Sequence, residues 1–134
     1  MEDTFIDKLA YIHLRDGKVL ITLSQGKDTW YIPGGKREGS ESDSEALCRE
    51  VREELNVELL PYTIEPYGTF QTQAHGKPEG VMVRMTCYTA DFVGKPKASS
   101  EIEKIDFFTY AQKALTSPVD HLIFDDLHAK GLLL

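Results

Sequence analysis

A chain of 134 residues is long enough for one domain with its own hydrophobic core and too short for two ordinary domains, so we treat 1–134 as a single domain. Its composition, 41% hydrophobic and 28% charged, is that of a globular protein and excludes a fibrous chain. A net charge of −7 excludes a nucleic-acid polymer as the expected partner, because such polymers bind basic surfaces. A small anionic substrate remains compatible if a metal cation bridges the repulsion.

Targeting signals and cysteine chemistry add little. Residues 1–17 lack the basic start and apolar run of a signal peptide, and no apolar stretch is long enough to span a membrane. Cys48 and Cys87 stand alone, without the spacing of a metal site. We therefore expect a cytoplasmic protein with two free thiols and no membrane partner.

The first third of the chain contains signals for short strands. Leu9–Leu14 and Lys18–Leu23 are apolar-rich runs separated by Arg15-Asp16-Gly17, a sequence typical of a hairpin turn. Trp30–Ile32 is a short extended segment, and Pro33-Gly34-Gly35 ends it. We predict a hairpin between the first two runs.

A helix follows from about Glu41 to Leu55. Ser42 with Glu45 three residues later forms a capping-box pattern, and Ser40 with Asp43 offers the same pattern two residues earlier. Either pair satisfies the first free N–H groups of a helix. The sequence leaves the choice between them open.

The helix also has a predicted buried face and a predicted end. Leu47, Val51 and Leu55 recur every fourth residue and form one apolar stripe. Asn56 follows, and asparagine tolerates the left-handed conformation that commonly terminates helices.

The remaining elements alternate between strand and helix. Tyr67–Ala74, Val81–Phe92 and Ile105–Thr109 read as strands, whereas Ala111–Leu115 and Val119–Lys130 read as helical. Strands before, between and after helices predict a mixed sheet flanked by helices.

The predicted helix carries an unusual concentration of acid. Glu50, Glu53 and Glu54 fall within roughly a third of the helix circumference, where like charges repel. No Lys or Arg lies four residues C-terminal to any of them. We therefore expect a cation from outside the chain, and Mg²⁺ is the hard cation that carboxylates and phosphates bind together. An ordinary solvated acidic face is the alternative.

The context of these carboxylates resembles a known motif. Gly35 is followed after five residues by Glu41, and after seven more by Arg49-Glu50-Val51-Arg52-Glu53-Glu54-Leu55-Asn56-Val57. This resembles the Nudix box, G-x5-E-x7-R-E-U-x-E-E-x-G-U with U a bulky aliphatic residue, at eight of nine defined positions. The exception is Asn56, where the family has glycine. The resemblance implies a Nudix-type α/β/α sandwich around a mixed β-sheet.

The resemblance also implies metal ligands. Glu53 and Glu54 correspond to the pair that binds Mg²⁺, with Mn²⁺ as an alternative ion. Glu50 corresponds to a further ligand or to the base that deprotonates the attacking water. Gly34 corresponds to a ligand through its backbone carbonyl.

Further site residues follow with less sequence support. Arg49 corresponds to the residue that orients a box carboxylate, and Glu41 to its support at the helix start. Family members often take one more carboxylate ligand from the loop before the last strand. Glu101 is the first choice for that ligand here and Glu103 the second, with a solvated loop acid as the alternative.

Substrate contacts are the weakest part of the prediction. Gly35 lets the backbone approach a ligand without obstruction. Asp120 resembles the position where mutator-type Nudix enzymes read an oxidised guanine, yet it is also an ordinary first-turn helix residue. Tyr31 and Phe70 are candidates to stack on a base, although aromatic residues beside a sheet more often belong to the core.

The resemblance implies metal-dependent hydrolysis of a phosphoanhydride bond in a substrate that contains a nucleoside diphosphate. The first candidate is a nucleoside triphosphate, normal or oxidised, cleaved to a monophosphate and pyrophosphate. A nucleotide sugar or a dinucleotide is the alternative substrate, and a non-catalytic nucleotide-sensing domain is the alternative function. Such a sensor is expected to lose box carboxylates, which this chain keeps. Dimers are frequent in the family, so a homodimer is an open expectation.

Overall fold

The computed structural model describes residues 4–134, which form nine strands and two α-helices. In chain order these are β1 (Thr4–Tyr11), β2 (Leu14–Arg15), β3 (Lys18–Ser24), β4 (Gly34–Gly35), α1 (Asp43–Leu55), β5 (Glu58–Leu59), β6 (Glu65–Gln73), β7 (Val81–Thr89), β8 (Phe92–Val93), β9 (Ile102–Phe108) and α2 (Pro118–Ala129). Short 3₁₀ helices occupy Pro61–Thr63 and Tyr110–Leu115.

The larger sheet separates the two helices. Its strand order is β4-β1-β7-β6, with β1 parallel to β7 and the other pairs antiparallel. Successive side chains of β1 point to opposite faces. Leu9 and Tyr11 pack in the cluster that contains α1, whereas Ala10 and Ile12 pack in the cluster that contains α2. The α/β/α sandwich around a mixed sheet is therefore confirmed.

The predicted N-terminal hairpin is wrong in its first strand. A turn does form at Asp16-Gly17, but it joins β3 to the two-residue strand β2, and β3 continues into a separate sheet with β9. The longer strand β1 pairs with β7 and β4 instead. Residues 9–12 are at most 2% exposed, which is typical of a strand covered on both faces.

Helix α1 starts where the pair Ser42 and Glu45 predicts. The Ser42 hydroxyl accepts the N–H of Glu45 at 3.1 Å, and the Glu45 carboxylate accepts the N–H of Ser42 at 2.9 Å. Asp43 instead binds Arg37 and Tyr88, so the earlier pattern does not form. The helix ends at Asn56, which has φ 56° and ψ 36° as predicted for a left-handed cap.

Several boundaries differ from prediction. Strand β9 begins three residues before Ile105, and the predicted strand Val81–Phe92 is divided into β7 and β8. Residues 111–115 lie in a 3₁₀ helix rather than in an α-helix. Among the helices at 4–134, none is long and apolar enough to cross a bilayer.

Candidate active site

Two glycines bring the backbone of β4 against α1. The N–H of Gly34 donates to the Glu54 carboxylate at 2.9 Å. A Cβ atom built on Gly35 would lie 2.5 Å from the Glu50 carboxylate, and one built on Gly34 would collide with the carbonyl oxygen of Leu9. Gly34 also has φ +149°, which side-chain-bearing residues rarely adopt. Gly34 therefore requires glycine, whereas a side chain at Gly35 would displace the Glu50 carboxylate from the β4 backbone.

Arg49 organises the exposed side of the same helix. Its guanidinium donates to Glu41 through Nε at 2.8 Å and Nη2 at 2.9 Å, and to Glu50 at 2.9 Å. Glu53 lies 3.4 Å away, and the carbonyl of Lys36 accepts a further bond at 3.0 Å. The expectation of a carboxylate group without a cation in the chain is therefore wrong. That expectation considered only residues C-terminal to the three acids, whereas Arg49 precedes them in the sequence.

A loop before β9 adds a fourth acid. The N–H groups of Lys97 and Ser99 donate to the last carbonyls of α1, those of Leu55 and Glu54, at 3.0 and 3.1 Å. The Glu101 carbonyl in turn accepts the N–H of Gln25 at 2.8 Å. These bonds hold Glu101 close enough to raise the pKa of both Glu50 and Glu54. We refer to Glu50, Glu53, Glu54 and Glu101 as the carboxylate cluster.

The electrostatics of the cluster reflect burial and mutual repulsion. Burial, reinforced by the neighbouring carboxylates, raises the pKa of Glu54 to about 8 although the Gly34 N–H bond opposes this. Burial also raises the pKa of Glu50, while Arg49 opposes the shift. On an exposed surface, Glu50 and Glu54 would keep the pKa of an ordinary glutamate. Bringing an additional cation here would therefore relieve a real electrostatic cost.

A cavity of about 600 Å³ opens beside the cluster, and we call it the Gly34 cavity. Gly34, Gly35 and Glu54 contribute to its lining on the side of the cluster. The rest of its lining includes Lys8, Tyr31, Ile32, Met85, Lys27, His75 and Lys77. Cavities of this size accommodate a nucleotide-sized ligand.

Comparison with known proteins places this geometry in a family. Residues 8–125 match the NUDIX domain. The chain belongs to the Nudix family. This confirms the resemblance seen in the sequence, and the box lies on β4, the following loop and α1.

The individual proteins that the chain resembles share only part of its sequence. The chain is 28% identical over 99 residues to mRNA-decapping enzyme subunit 2 of Saccharomyces cerevisiae, covering 74% of this chain and 10% of that protein. It is 44% identical over 57 residues to the CTP pyrophosphohydrolase of Escherichia coli, covering 40% of this chain and 42% of that enzyme. The solution structure of the E. coli ORF135 protein superimposes with a TM-score of 0.73 at 27% identity, covering 95% of this chain and 91% of that one. The chain thus spans about a tenth of the yeast protein and less than half of the CTP enzyme.

The Nudix site fits a divalent cation without being preformed for one. Within residues 4–134, no three Asp, Glu, His or Cys side chains already converge as a metal group. The donor set is nevertheless chemically suitable, because carboxylates and backbone carbonyls are the ligands of Mg²⁺ and Mn²⁺. The closely seated Glu50 carboxylate on Gly35 and the repulsion within the cluster support the fit. The groups able to hold the ion are the cluster carboxylates and the Gly34 carbonyl.

The predicted substrate residues separate into two groups. Gly35 and Tyr31 line the Gly34 cavity as expected. Phe70 does not, because β6 places it half-buried against the core beneath α2. The assignment of Phe70 to the substrate site is therefore corrected to a packing role.

Asp120 lies behind the cavity wall, not in it. Its side chain is fully buried in the first turn of α2, and Oδ2 accepts the Ser117 hydroxyl at 2.8 Å and the Ile32 N–H at 3.4 Å. The other oxygen, Oδ1, has no hydrogen-bond partner in the described chain. Burial raises the pKa of this carboxyl to about 7.

Sequence reasoning missed Lys8. This half-buried lysine lies on β1 and lines the Gly34 cavity. Burial lowers the pKa of its ammonium, and the acids Asp120 and Glu54 oppose that change. A lysine flanked by Ile6 and Ala10 on the inward positions of a central strand was the available signal, since such positions are normally apolar.

Proposed function

We propose that this Nudix domain is a divalent-metal-dependent pyrophosphohydrolase of nucleotides, with a nucleoside triphosphate as first candidate and a monophosphate and pyrophosphate as products. One observation carries the proposal: the carboxylate cluster meets the Gly34-Gly35 backbone at one end of a nucleotide-sized cavity. An acidic surface alone would not require that arrangement. Membership of the Nudix family and the retained box carboxylates support catalysis over ligand sensing.

The chemistry assigns a task to each side chain. A bound Mg²⁺ or Mn²⁺ ion would neutralise charge on the phosphate oxygens and lower the pKa of bound water. Glu53, Glu54, Glu101 and the Gly34 carbonyl would hold the ion. The oxygen of the attacking water forms a bond to phosphorus, the bond from phosphorus to the bridging oxygen breaks, and the water proton passes to a carboxylate.

Glu50 is the best candidate for that base. Burial raises the pKa of Glu50, so this carboxylate binds a proton more strongly than an exposed acid does. That property suits a group that must accept a proton from water. Arg49 holds it in place through the bond at 2.9 Å, while Glu41 fixes Arg49 from the other side. We assign Arg49 and Glu41 as positioning residues.

The substrate class rests on the cavity and on one relative. A volume of about 600 Å³ suits a nucleoside with its phosphates at the Gly34 end. The relative named as a CTP pyrophosphohydrolase supports a nucleoside triphosphate, although the match covers 40% of this chain.

A phosphate-release screen tests the proposal. Purified protein is incubated with nucleoside triphosphates, oxidised guanine nucleotides, nucleotide sugars and dinucleoside polyphosphates, in Mg²⁺, in Mn²⁺ and in a chelator. We expect a monophosphate and pyrophosphate from at least one triphosphate, with no product in chelator. Nucleotide binding without turnover in either metal would contradict the proposal and favour a sensor.

A further inference from the structure

Lys8 is one of three lysines that line the Gly34 cavity, with Lys27 and Lys77. It lines that cavity and also a smaller adjoining one of about 80 Å³, which Tyr31 and Met85 share. Within residues 4–134 the ammonium of Lys8 forms no side-chain hydrogen bond and no salt bridge, and its Nζ lies 6.0 Å from the centre of the Tyr31 ring. A half-buried ammonium without a protein partner is costly unless a ligand or water satisfies it.

Asp120 lies behind this lysine, and because burial raises its pKa to about 7 it carries its negative charge only above that pH. Its carboxylate is 0% exposed and Oδ1 is unpaired, yet its field acts on both Lys8 and Tyr31. The bonds to Ser117 and Ile32 keep Asp120 behind the wall. A ligand in the Gly34 cavity therefore meets the ammonium of Lys8 rather than the carboxylate of Asp120.

We propose that Lys8 reads the substrate base by donating to a keto oxygen, with Asp120 as the positioning residue that stabilises its charge. This rests on the proposed nucleotide substrate and deepens it. An ammonium has three donors and no acceptor, so it pairs with a carbonyl oxygen such as O6 of guanine. Guanine, hypoxanthine, uracil, thymine and cytosine each carry a keto oxygen, whereas adenine carries none. The enzyme therefore discriminates against adenine.

Paired purine substrates test the role of Lys8. Inosine and adenosine triphosphates differ at position 6 of the ring, where a keto oxygen replaces an amino group. We expect wild-type protein to prefer inosine triphosphate by at least about tenfold in kcat/KM, and Lys8→Met to abolish the preference mainly through KM. Lys104→Met, an exposed lysine on β9, is the matched control and should leave the preference unchanged.

Guanosine triphosphate distinguishes whether Lys8 or Asp120 is the residue that contacts the base. Guanine adds an amino group at position 2, which a carboxylate would bind and an ammonium would not. We expect guanosine and inosine triphosphates to have kcat/KM values within about threefold of each other. A large preference for guanosine that is lost in Asp120→Asn and kept in Lys8→Met would overturn the proposal.

A double-mutant cycle, measured above pH 7 where Asp120 is ionised, tests the dependence on Asp120. Asp120→Asn keeps an oxygen for Ser117 and Ile32 but removes the charge. We expect it to weaken the inosine preference in the wild-type background and to have no further effect in Lys8→Met. Equal effects in both backgrounds would contradict a role through Lys8.

Metal-free binding separates this inference from the proposed hydrolysis. Calorimetry with inosine, guanosine and adenosine monophosphates, in chelator, needs no turnover. Lys8-dependent binding of the keto monophosphates without hydrolysis of any triphosphate would refute the hydrolase and keep the base reader. Hydrolysis of inosine and adenosine triphosphates with the same ranking in Lys8→Met would refute the base reader alone.

Discussion

Individual side chains of the box differ in how firmly they are held. The Glu50 side chain is 14% exposed and bonded to Arg49, whereas Glu53 is 47% exposed and lies at the limit of hydrogen-bonding distance from the same guanidinium. Of these two carboxylates, Glu53 is therefore the one that can turn towards an incoming ion at lower cost. Replacing it is expected to test the proposed metal binding with less disturbance of the fold than replacing Glu50.

We predict that Glu53→Gln lowers kcat by at least about a hundredfold, because a metal ligand is lost while the shape of the side chain is kept. Steady-state kinetics on the best substrate measures the effect, and circular dichroism checks folding. Glu58→Gln is the control, since Glu58 forms an exposed pair with Arg52 outside the site. Full activity in a folded Glu53→Gln protein would exclude Glu53 as a ligand.

Asp120 makes stability depend on pH. The unfolded chain loses this proton near pH 4, whereas the folded chain keeps it until about pH 7. The unfolded state therefore binds fewer protons between these values, and the free energy of unfolding falls as pH rises through the window, by about 4 kcal/mol if the full shift acts.

Asp120→Asn should remove this pH-dependent part of the free energy of unfolding. Urea unfolding at pH 4, 5.5 and 7 gives the difference between variant and wild type, in which other titrating groups cancel. Asp106→Asn, an exposed acid on β9, is the control. Parallel curves for wild type and Asp120→Asn would show that Asp120 is ionised throughout.

The sequence revealed residues whose role depends on local spacing and hid those whose role depends on distant neighbours. Glu50, Glu53 and Glu54 share one helix face because of helical geometry alone. Phe70 was assigned to the substrate site and Lys8 was missed. The neighbouring strands that decide which way these side chains point are distant in the sequence. Phe70 pairs with Met85 across β6 and β7, and that register needs the whole sheet.

At the level of elements, α1 was predictable at both ends because its signals lie within a few residues of each terminus. The capping box and the Asn56 cap each satisfy backbone groups locally. Strand β1 was not predictable in the same way. The turn at Asp16-Gly17 identified a hairpin, but a turn does not state how far its strand extends or which other strand the rest of the chain joins.

The cap at Asn56 gives a test at this scale. A left-handed conformation costs a residue with a Cβ atom about 1 kcal/mol, and asparagine tolerates it better than alanine. We predict that Asn56→Ala lowers the free energy of unfolding by about 1 kcal/mol and that Asn56→Gly does not lower it. Urea unfolding compares the pair. Equal destabilisation by both would indicate that the Asn56 side chain, not its backbone conformation, stabilises the end of α1.

For the whole molecule, we expect the carboxylate cluster to couple stability to metal concentration. A cation that binds the folded chain and not the unfolded one raises Tm with concentration. We predict such a rise with Mg²⁺ and Mn²⁺ and a flattened response in the Glu50→Gln, Glu54→Gln double variant. Differential scanning fluorimetry at constant ionic strength measures it, with Glu58→Gln as control. An undiminished response in the double variant would place the bound ion elsewhere.

The alternation along β1 has an evolutionary consequence. Leu9 and Tyr11 face the helix that carries the carboxylates, while Lys8 and Ala10 face the opposite side of the sheet. The odd positions therefore support the helix that carries the proposed catalytic groups, whereas the proposed contact with the base belongs to Lys8 on the other face. On the proposed role of Lys8, a duplicated gene could change its substrate through this one position of β1 while the residues of the box stay unchanged.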